Sequence, residues 1–191
     1  MSAIAKDNST PLLGFWLYLM TDLVLFASLF ATFAVLRGNT FGGPDGEQIF
    51  SLPFVLGETL ILLSSSFICG LGVLAARSGQ KNQVLICFGL TFLLGAAFLG
   101  MELSEFHKLA AEGDSWRRSG FLSAFFTLVG THGLHITVGL VWMATMMYQT
   151  VKRGLTTPVV RKLTMLSMFW HFLDIIWIFI FTIVYLMGIA G

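Results

Sequence analysis

The chain has 191 residues, of which 56% are hydrophobic and only 11% are charged. Soluble domains carry about a quarter charged residues, so this composition is typical of membrane proteins. The net charge of +1 excludes the basic surface of a nucleic-acid-binding protein, and no nucleic-acid partner is expected. The sequence also contains no phosphate-binding loop, no dinucleotide-binding glycine motif and no Cys-x-x-Cys pair.

Hydropathy predicts an all-α membrane protein, a bundle of five transmembrane helices forming a single domain over residues 1–191. About 20 consecutive apolar residues are needed to cross a bilayer core of about 30 Å. Polar or turn-forming segments separate the apolar runs. The predicted helices are 12–36, 52–76, 83–105, 120–149 and 163–187.

Lysine and arginine in the connecting segments indicate the orientation. One side of the predicted bundle carries Lys6, Arg77, Lys81, Lys152, Arg153, Arg161 and Lys162, and the other carries Arg37, Lys108, Arg117 and Arg118. This bias places the N-terminus in the cytoplasm and the C-terminus in the periplasm. Four aromatic residues are then expected near the membrane interfaces, namely Trp16, Trp116, Tyr148 and Tyr185.

Carboxylates inside the predicted spans are costly and each needs a reason. Asp22 and Asp174 fall roughly 15 Å deep from the same side, near the bilayer centre. Glu58, Glu102 and Glu105 fall nearer the outer surface, where Glu102 and Glu105 are expected to meet water. Three interpretations stay open: hydrogen bonds that fix the bundle, a role in proton traffic, and contact with a partner subunit.

The histidines pose a similar choice. His132 and His135 are three residues apart on the fourth helix and share a face, as do His171 and Asp174 on the fifth. His132 and His171 fall at comparable depths, so they are either haem ligands or hydrogen-bonded structural residues. His107 is expected in a solvated outer loop.

Two further features concern packing. Trp170, Asp174 and Trp177 form a stripe on one face of the fifth helix, which suits either helix packing or docking onto another subunit. Gly133 and Thr137 are a pair of small residues four apart, which lets two helices approach closely.

Four segments in register give a resemblance to a known family. Residues 131–139 resemble the H-G-L-H-V motif of subunit III of haem-copper terminal oxidases, and residues 169–177 resemble its W-H-F-x-D-x-x-W signature. Residues 102–106 are similar to its Q-x-S-E-Y element and residues 21–26 to its S-E-x-x-F-F element. Two departures are Asp22 in place of Glu and Glu102 in place of Gln. The length and the motifs are most similar to the ubiquinol oxidase branch of the family.

The resemblance implies subunit III of a proton-pumping ubiquinol oxidase, which oxidises ubiquinol and reduces oxygen to water in a bacterial inner membrane. In that family, haem and copper belong to subunit I, and in cytochrome c oxidases to subunit II as well, so no cofactor is expected in this chain beyond bound phospholipid. The chain itself is expected to be non-catalytic. It would stabilise subunit I and contact the other oxidase subunits and membrane lipids.

Other interpretations are a subunit III of a cytochrome c oxidase, a proton-coupled transporter and a b-type cytochrome. The transporter would use Asp22 and Asp174 as coupling sites, although such folds usually show repeats and broken helices. The cytochrome would use His132 and His171 as haem ligands.

Overall fold

The computed structural model describes residues 10–38, 52–111 and 119–186, and these residues are almost entirely helical. The helices are α1 (Thr10–Leu36), α2 (Leu52–Arg77), α3 (Lys81–Ala111), α4 (Gly120–Arg153) and α5 (Thr157–Ile180). A π-helical segment, Phe181–Leu186, continues α5 directly. Each of the five has the length and apolar composition to cross a membrane. The predicted five-helix fold is therefore confirmed, whereas the orientation of its termini stays a prediction.

Two helices extend furthest beyond the bounds that hydropathy predicts. Helix α3 continues to Ala111, so His107 is an exposed helical residue and not part of a loop. Helix α5 begins at Thr157, six positions before the predicted start at 163, with Pro158 in its first turn. Hydropathy marks only the part of a helix that suits hydrocarbon, while backbone hydrogen bonding continues into polar sequence, and proline is well tolerated in a first turn.

Short turns at one end of the bundle fix the antiparallel order of the helices. Gly79 (φ 73°) lies between α2 and α3, and Gly154 (φ 69°) lies between α4 and α5. Both residues have a positive φ, which glycine tolerates best. Lys81 Nζ donates a hydrogen bond to the carbonyl of Val151 at 3.0 Å, which ties the two turns together. We call the opposite end, where α2 and α4 begin and α3 ends, the distal end.

Helices α2 to α5 form a closed four-helix bundle. In that bundle α2 packs against α3 and α5, and α4 packs against the same two helices. Helix α1 lies outside this ring and contacts mainly α4, with fewer contacts to α5. The seam between α1 and α4 is aromatic, with Phe15 edge-on to Trp142 at 6.0 Å and Phe33 beside Phe121 at 5.8 Å. The molecule therefore consists of a packed bundle and one attached helix.

Trp170 on α5 shows how the bundle closes. Its Nε1 donates to Ser65 Oγ on α2 at 3.0 Å. A Cβ placed on Gly95 of α3 would lie 2.7 Å from the indole, and one on Gly139 of α4 would lie 3.0 Å from it. One side chain thus contacts all three other helices of the bundle, and it fits only because two of the facing residues are glycines.

Candidate functional site

The seam between α1 and α4 contains a carboxylate facing a histidine. Asp22 Oδ2 lies 3.7 Å from His135 Nε2, and both side chains are mostly buried. His135 Nδ1 lies 2.8 Å from the carbonyl oxygen of Thr131. A carbonyl only accepts, so Nδ1 is the donor, and in a neutral ring Nε2 is left bare toward Asp22. Asp22 Oδ2 has no hydrogen-bond partner among the described residues, so the two side chains face each other across the seam without a hydrogen bond.

A second group of ionisable side chains lies in the distal half of the four-helix bundle. Glu58 comes from the first turns of α2, Glu102 and Glu105 from the last turns of α3, His132 from α4 and Tyr185 from the π-helical segment. Glu58, His132 and Tyr185 are fully buried, Glu102 is 2% exposed and Glu105 is half-buried. We call these five residues the acid cluster.

One hydrogen bond links the outer members of the acid cluster. The Tyr185 hydroxyl donates to Glu105 Oε2 at 3.2 Å, joining α5 to α3 across 80 residues of sequence. Tyr185 lies in the π-helical segment, and its side chain is fully buried inside the bundle. Tyr185 is therefore an interior residue whose ring faces the bundle.

The inner members of the acid cluster are unpartnered. Among the described residues, both carboxyl oxygens of Glu58, both of Glu102 and both ring nitrogens of His132 are buried and have no hydrogen-bond partner. Leaving a buried polar atom unsatisfied costs about 1–3 kcal/mol. Packing alone does not account for acids placed in this way.

Gly133 makes room for Glu102. A Cβ on Gly133 would lie 3.1 Å from Glu102 Oε2 and 3.3 Å from Oε1, closer than ordinary van der Waals contact. The prediction that Glu102 meets water is wrong, because α3 continues past it and α4 covers it. A cavity of about 240 Å³ adjoins this contact and is lined in part by Glu102, Phe106, Gly130 and Thr137.

His132 lies in an aromatic enclosure. Its ring stacks on Trp177 with a centroid distance of 5.3 Å and an interplanar angle of 28°. Phe98 meets it edge-on at 6.0 Å, and Phe26 of α1 lies at 6.4 Å. Trp177 is held by a hydrogen bond from its Nε1 to Thr59 Oγ1 at 3.1 Å. The cage fixes the plane of the imidazole and separates it from lipid.

His171 has different surroundings. It is exposed, its Nδ1 lies 2.7 Å from the carbonyl of Ser167, and it lines an apolar groove of about 410 Å³ together with Trp16 and Phe172. The rings of His132 and His171 thus have separate neighbours, and this arrangement does not support their pairing across one haem. Within the described ranges, no group of three or more His, Cys, Asp or Glu side chains is arranged to hold a metal ion.

The remaining predicted residue, Asp174, is buried on α5, and its Oδ1 has no hydrogen-bond partner in the described part of the chain. It lies close to Ser66 of α2 and to His171. The stripe of Trp170, Asp174 and Trp177 therefore faces the interior of this chain. Docking of that stripe onto another subunit does not fit this geometry.

The structure thus brings the predicted residues into three places: the Asp22–His135 seam, the acid cluster and the Asp174–His171 face of α5. Sequence reasoning missed Tyr185 as a member of the acid cluster. A tyrosine near the end of an apolar run gives the same signal whether it faces the interface or the interior.

Comparison with known proteins identifies the family. Residues 9–189 match the family model described as cytochrome c oxidase subunit III. The chain belongs to the cytochrome c oxidase subunit III family. This assignment confirms the resemblance seen in the four sequence motifs. It favours an oxidase subunit over the transporter and the b-type cytochrome.

Three relatives illustrate the range of names within this family. The chain is 60% identical to cytochrome bo(3) ubiquinol oxidase subunit 3 of Pseudomonas aeruginosa, over 95% of this chain and 87% of the relative. It is 47% identical to quinol oxidase subunit 3 of Bacillus subtilis, over 98% of this chain and 92% of the relative. It is 45% identical to cytochrome c oxidase subunit 3 of Bacillus sp. strain PS3, over 97% and 89% respectively.

Proposed function

We propose that this chain is the third, non-catalytic subunit of a bacterial ubiquinol oxidase. The observation that carries the proposal is the 60% identity, over nearly the whole chain, to a subunit named for a bo(3) ubiquinol oxidase. A second such subunit, from Pseudomonas putida, is 58% identical. The similarity to a cytochrome c oxidase subunit is lower, at 45%, which supports quinol as the electron donor of the complex.

The chain's place in the complex is proposed to be structural. Its buried ionisable groups lie within the bundle or on the α1 seam, and its tryptophans Trp170 and Trp177 are used to close the bundle. The chain also exposes many large apolar side chains on α1, such as Leu17, Val24 and Val35. Such surfaces suit burial in hydrocarbon or against other apolar helices. Subunit I and the other oxidase subunits are the proposed protein partners, in the bacterial inner membrane.

Membrane lipid is a further proposed ligand. The groove of about 410 Å³ between α1 and α5 is lined by Trp16, Leu19, Met168, Phe172 and Ile175, among others. An apolar groove that opens along a membrane helix fits an acyl chain. Bound phospholipid at this position would add contacts to α1, which has few protein contacts of its own.

The experiment compares the oxidase assembled with and without this chain, at matched haem content. Electron transfer would not pass through these helices, so the initial rate of quinol oxidation should stay substantial. Activity should then decay sooner during turnover or heating, because apolar surfaces of the remaining subunits lose their partner. Immediate and complete loss of activity at full haem occupancy would contradict a non-catalytic role. Failure of this chain to copurify with the other oxidase subunits would contradict the assignment itself.

A further inference from the structure

We propose that the acid cluster, formed by Glu58, Glu102, Glu105, His132 and Tyr185, is a proton-holding site that exchanges protons with water at the distal end of the bundle. The proposal concerns side chains of this chain alone and does not depend on the electron donor of the complex. It goes beyond the stabilising role, because it assigns the interior of the chain a ligand, the proton.

The chemistry of the unpartnered atoms points to this ligand. An ionised carboxylate only accepts hydrogen bonds, so a set of anionic glutamates offers one another no donors. A proton bound to Glu58 or Glu102 makes that carboxyl group neutral and removes the cost of an unpaired charge in the interior. Bound protons thus match the four buried, unpartnered carboxyl oxygens of Glu58 and Glu102.

Electrostatics supports the same ligand. Glu102 is close enough to Glu58 and Glu105 for each to act on its carboxyl group, and all three act on the Tyr185 hydroxyl. Several like charges at short range in a medium of low dielectric constant cannot all be present at once. Such a group takes up and loses protons as a unit.

The other ionisable groups near the cluster leave this conclusion unchanged. Lys108 on α3 acts on Glu105, at the outer edge of the cluster. His135 on α4 acts on His132 from the inner edge and itself faces Asp22 of α1. Neither supplies a hydrogen-bond donor to the Glu58 or Glu102 oxygens.

The arrangement also provides a route of entry. Glu105 is half-buried and nearest the end of α3, while Glu102 is three residues earlier on the same face of the helix. A proton taken from water by Glu105 passes inward to Glu102 or Glu58, and Glu105 returns to the carboxylate form. Tyr185, bonded to Glu105, sits in a π-helical turn, a feature found frequently at functional sites.

Infrared difference spectroscopy on the purified complex that contains this chain tests the proposal. The carbonyl stretch of a protonated carboxyl group is separate from that of a carboxylate, and it shifts when the proton is replaced by deuterium. We expect Glu58→Gln and Glu102→Gln each to remove intensity from the protonated-carboxyl region. In the wild-type complex the same bands should shift in D2O, and Glu105→Gln should slow that shift.

A pair of glycine variants provides a matched control on α4. Gly133→Ala places a methyl group against the Glu102 carboxyl and should move its band, whereas Gly130→Ala meets only Phe106, at an ordinary 3.7 Å. Subunit and haem content, measured on each variant, show that the complex has assembled.

Two results would overturn the proposal. One is unchanged intensity in both glutamine variants, which would mean that the two acids are ionised. The other is a set of wild-type carboxyl bands that never shift in D2O, which would mean that the acids are sealed and purely structural. The second measurement needs no variant, so it decides even if the substitutions impair assembly.

Discussion

The four-helix bundle and α1 are both apolar and membrane-spanning, yet they are stabilised differently. Half of the most apolar stretch of the last helix is buried inside the chain, against 22% for α1. Helices α2 to α5 are joined by buried tryptophan hydrogen bonds and by glycines that fit around indole rings, whereas α1 contributes one aromatic seam. The mean hydropathy of the last helix is 1.9 and that of α1 is 2.1, so hydropathy does not reveal which helix is central.

Each region also contains its own ionisable site. The Asp22–His135 pair lies in the α1 seam, and the acid cluster lies in the bundle. In the seam, one carboxylate faces one histidine whose tautomer is fixed by a backbone carbonyl. In the bundle, three glutamates share an interior with a caged histidine and a tyrosine. The seam sets one acid against one histidine, whereas in the bundle Glu58 and Glu102 have no hydrogen-bond partner among the described residues.

The largest expected difference between the two regions comes from a pair of tryptophans. Trp170→Ala should cost about 3–5 kcal/mol, since it opens a cavity where four helices meet and leaves Ser65 without its donor. Trp16→Ala on α1 removes a side chain that is 46% exposed and should cost much less. The temperature at which the subunit dissociates from the purified complex measures both. Equal losses would show that α1 is as central as the bundle.

A smaller effect is expected from a pair of glycines. In Gly95→Ala the new methyl group meets Trp170 at 2.7 Å, so the indole must move, and overpacking of this kind costs about 1–3 kcal/mol. Gly14→Ala on α1 meets nothing within 4 Å and should leave the dissociation temperature unchanged. If Gly95→Ala also left the dissociation temperature unchanged, Trp170 would have to be free to move, contrary to its tight packing.

A threonine pair tests a single hydrogen bond. Thr59→Val removes the acceptor of Trp177 Nε1 while keeping the shape of the side chain, and should cost about 1 kcal/mol. Thr32→Val on α1 removes only a bond to its own helix, to the Ser28 carbonyl, and should cost less. Fluorescence of Trp177 in the Thr59 variant should show a changed environment. Unaltered stability and fluorescence would mean that the cage around His132 does not depend on this bond.

The smallest effect is expected from Asp22→Asn. The amide is polar and can donate to His135 Nε2 after a small shift, so assembly should weaken by about 1 kcal/mol or less, whereas Asp22→Leu sets an apolar side chain against Nε2 and should be worse. Subunit content after purification compares the two variants. If Asp22→Asn assembled normally but abolished proton pumping by the complex, the seam would belong to a proton path and not to packing alone.

Sequence alone determined the five membrane helices, because a backbone in hydrocarbon must satisfy its own hydrogen bonds and an apolar run of sufficient length is the visible result. It also determined the family, through motifs that occur in order along the chain. It singled out Asp22, Glu58, Glu102, Glu105 and Asp174, because carboxylates inside apolar runs are conspicuous whatever their partners are.

Only the tertiary structure decided which of these acids are grouped together. Depth along a helix can be counted from sequence, but rotation about its axis depends on packing, and a hydrophobic run gives little indication of which face is inward. Glu102 was therefore expected at the water surface, and Tyr185 at the interface, although both lie in the interior. Glu102 packs against Gly133 of α4, and Tyr185 bonds to Glu105 of α3, and such contacts between helices are not visible in the spacing of residues along one helix.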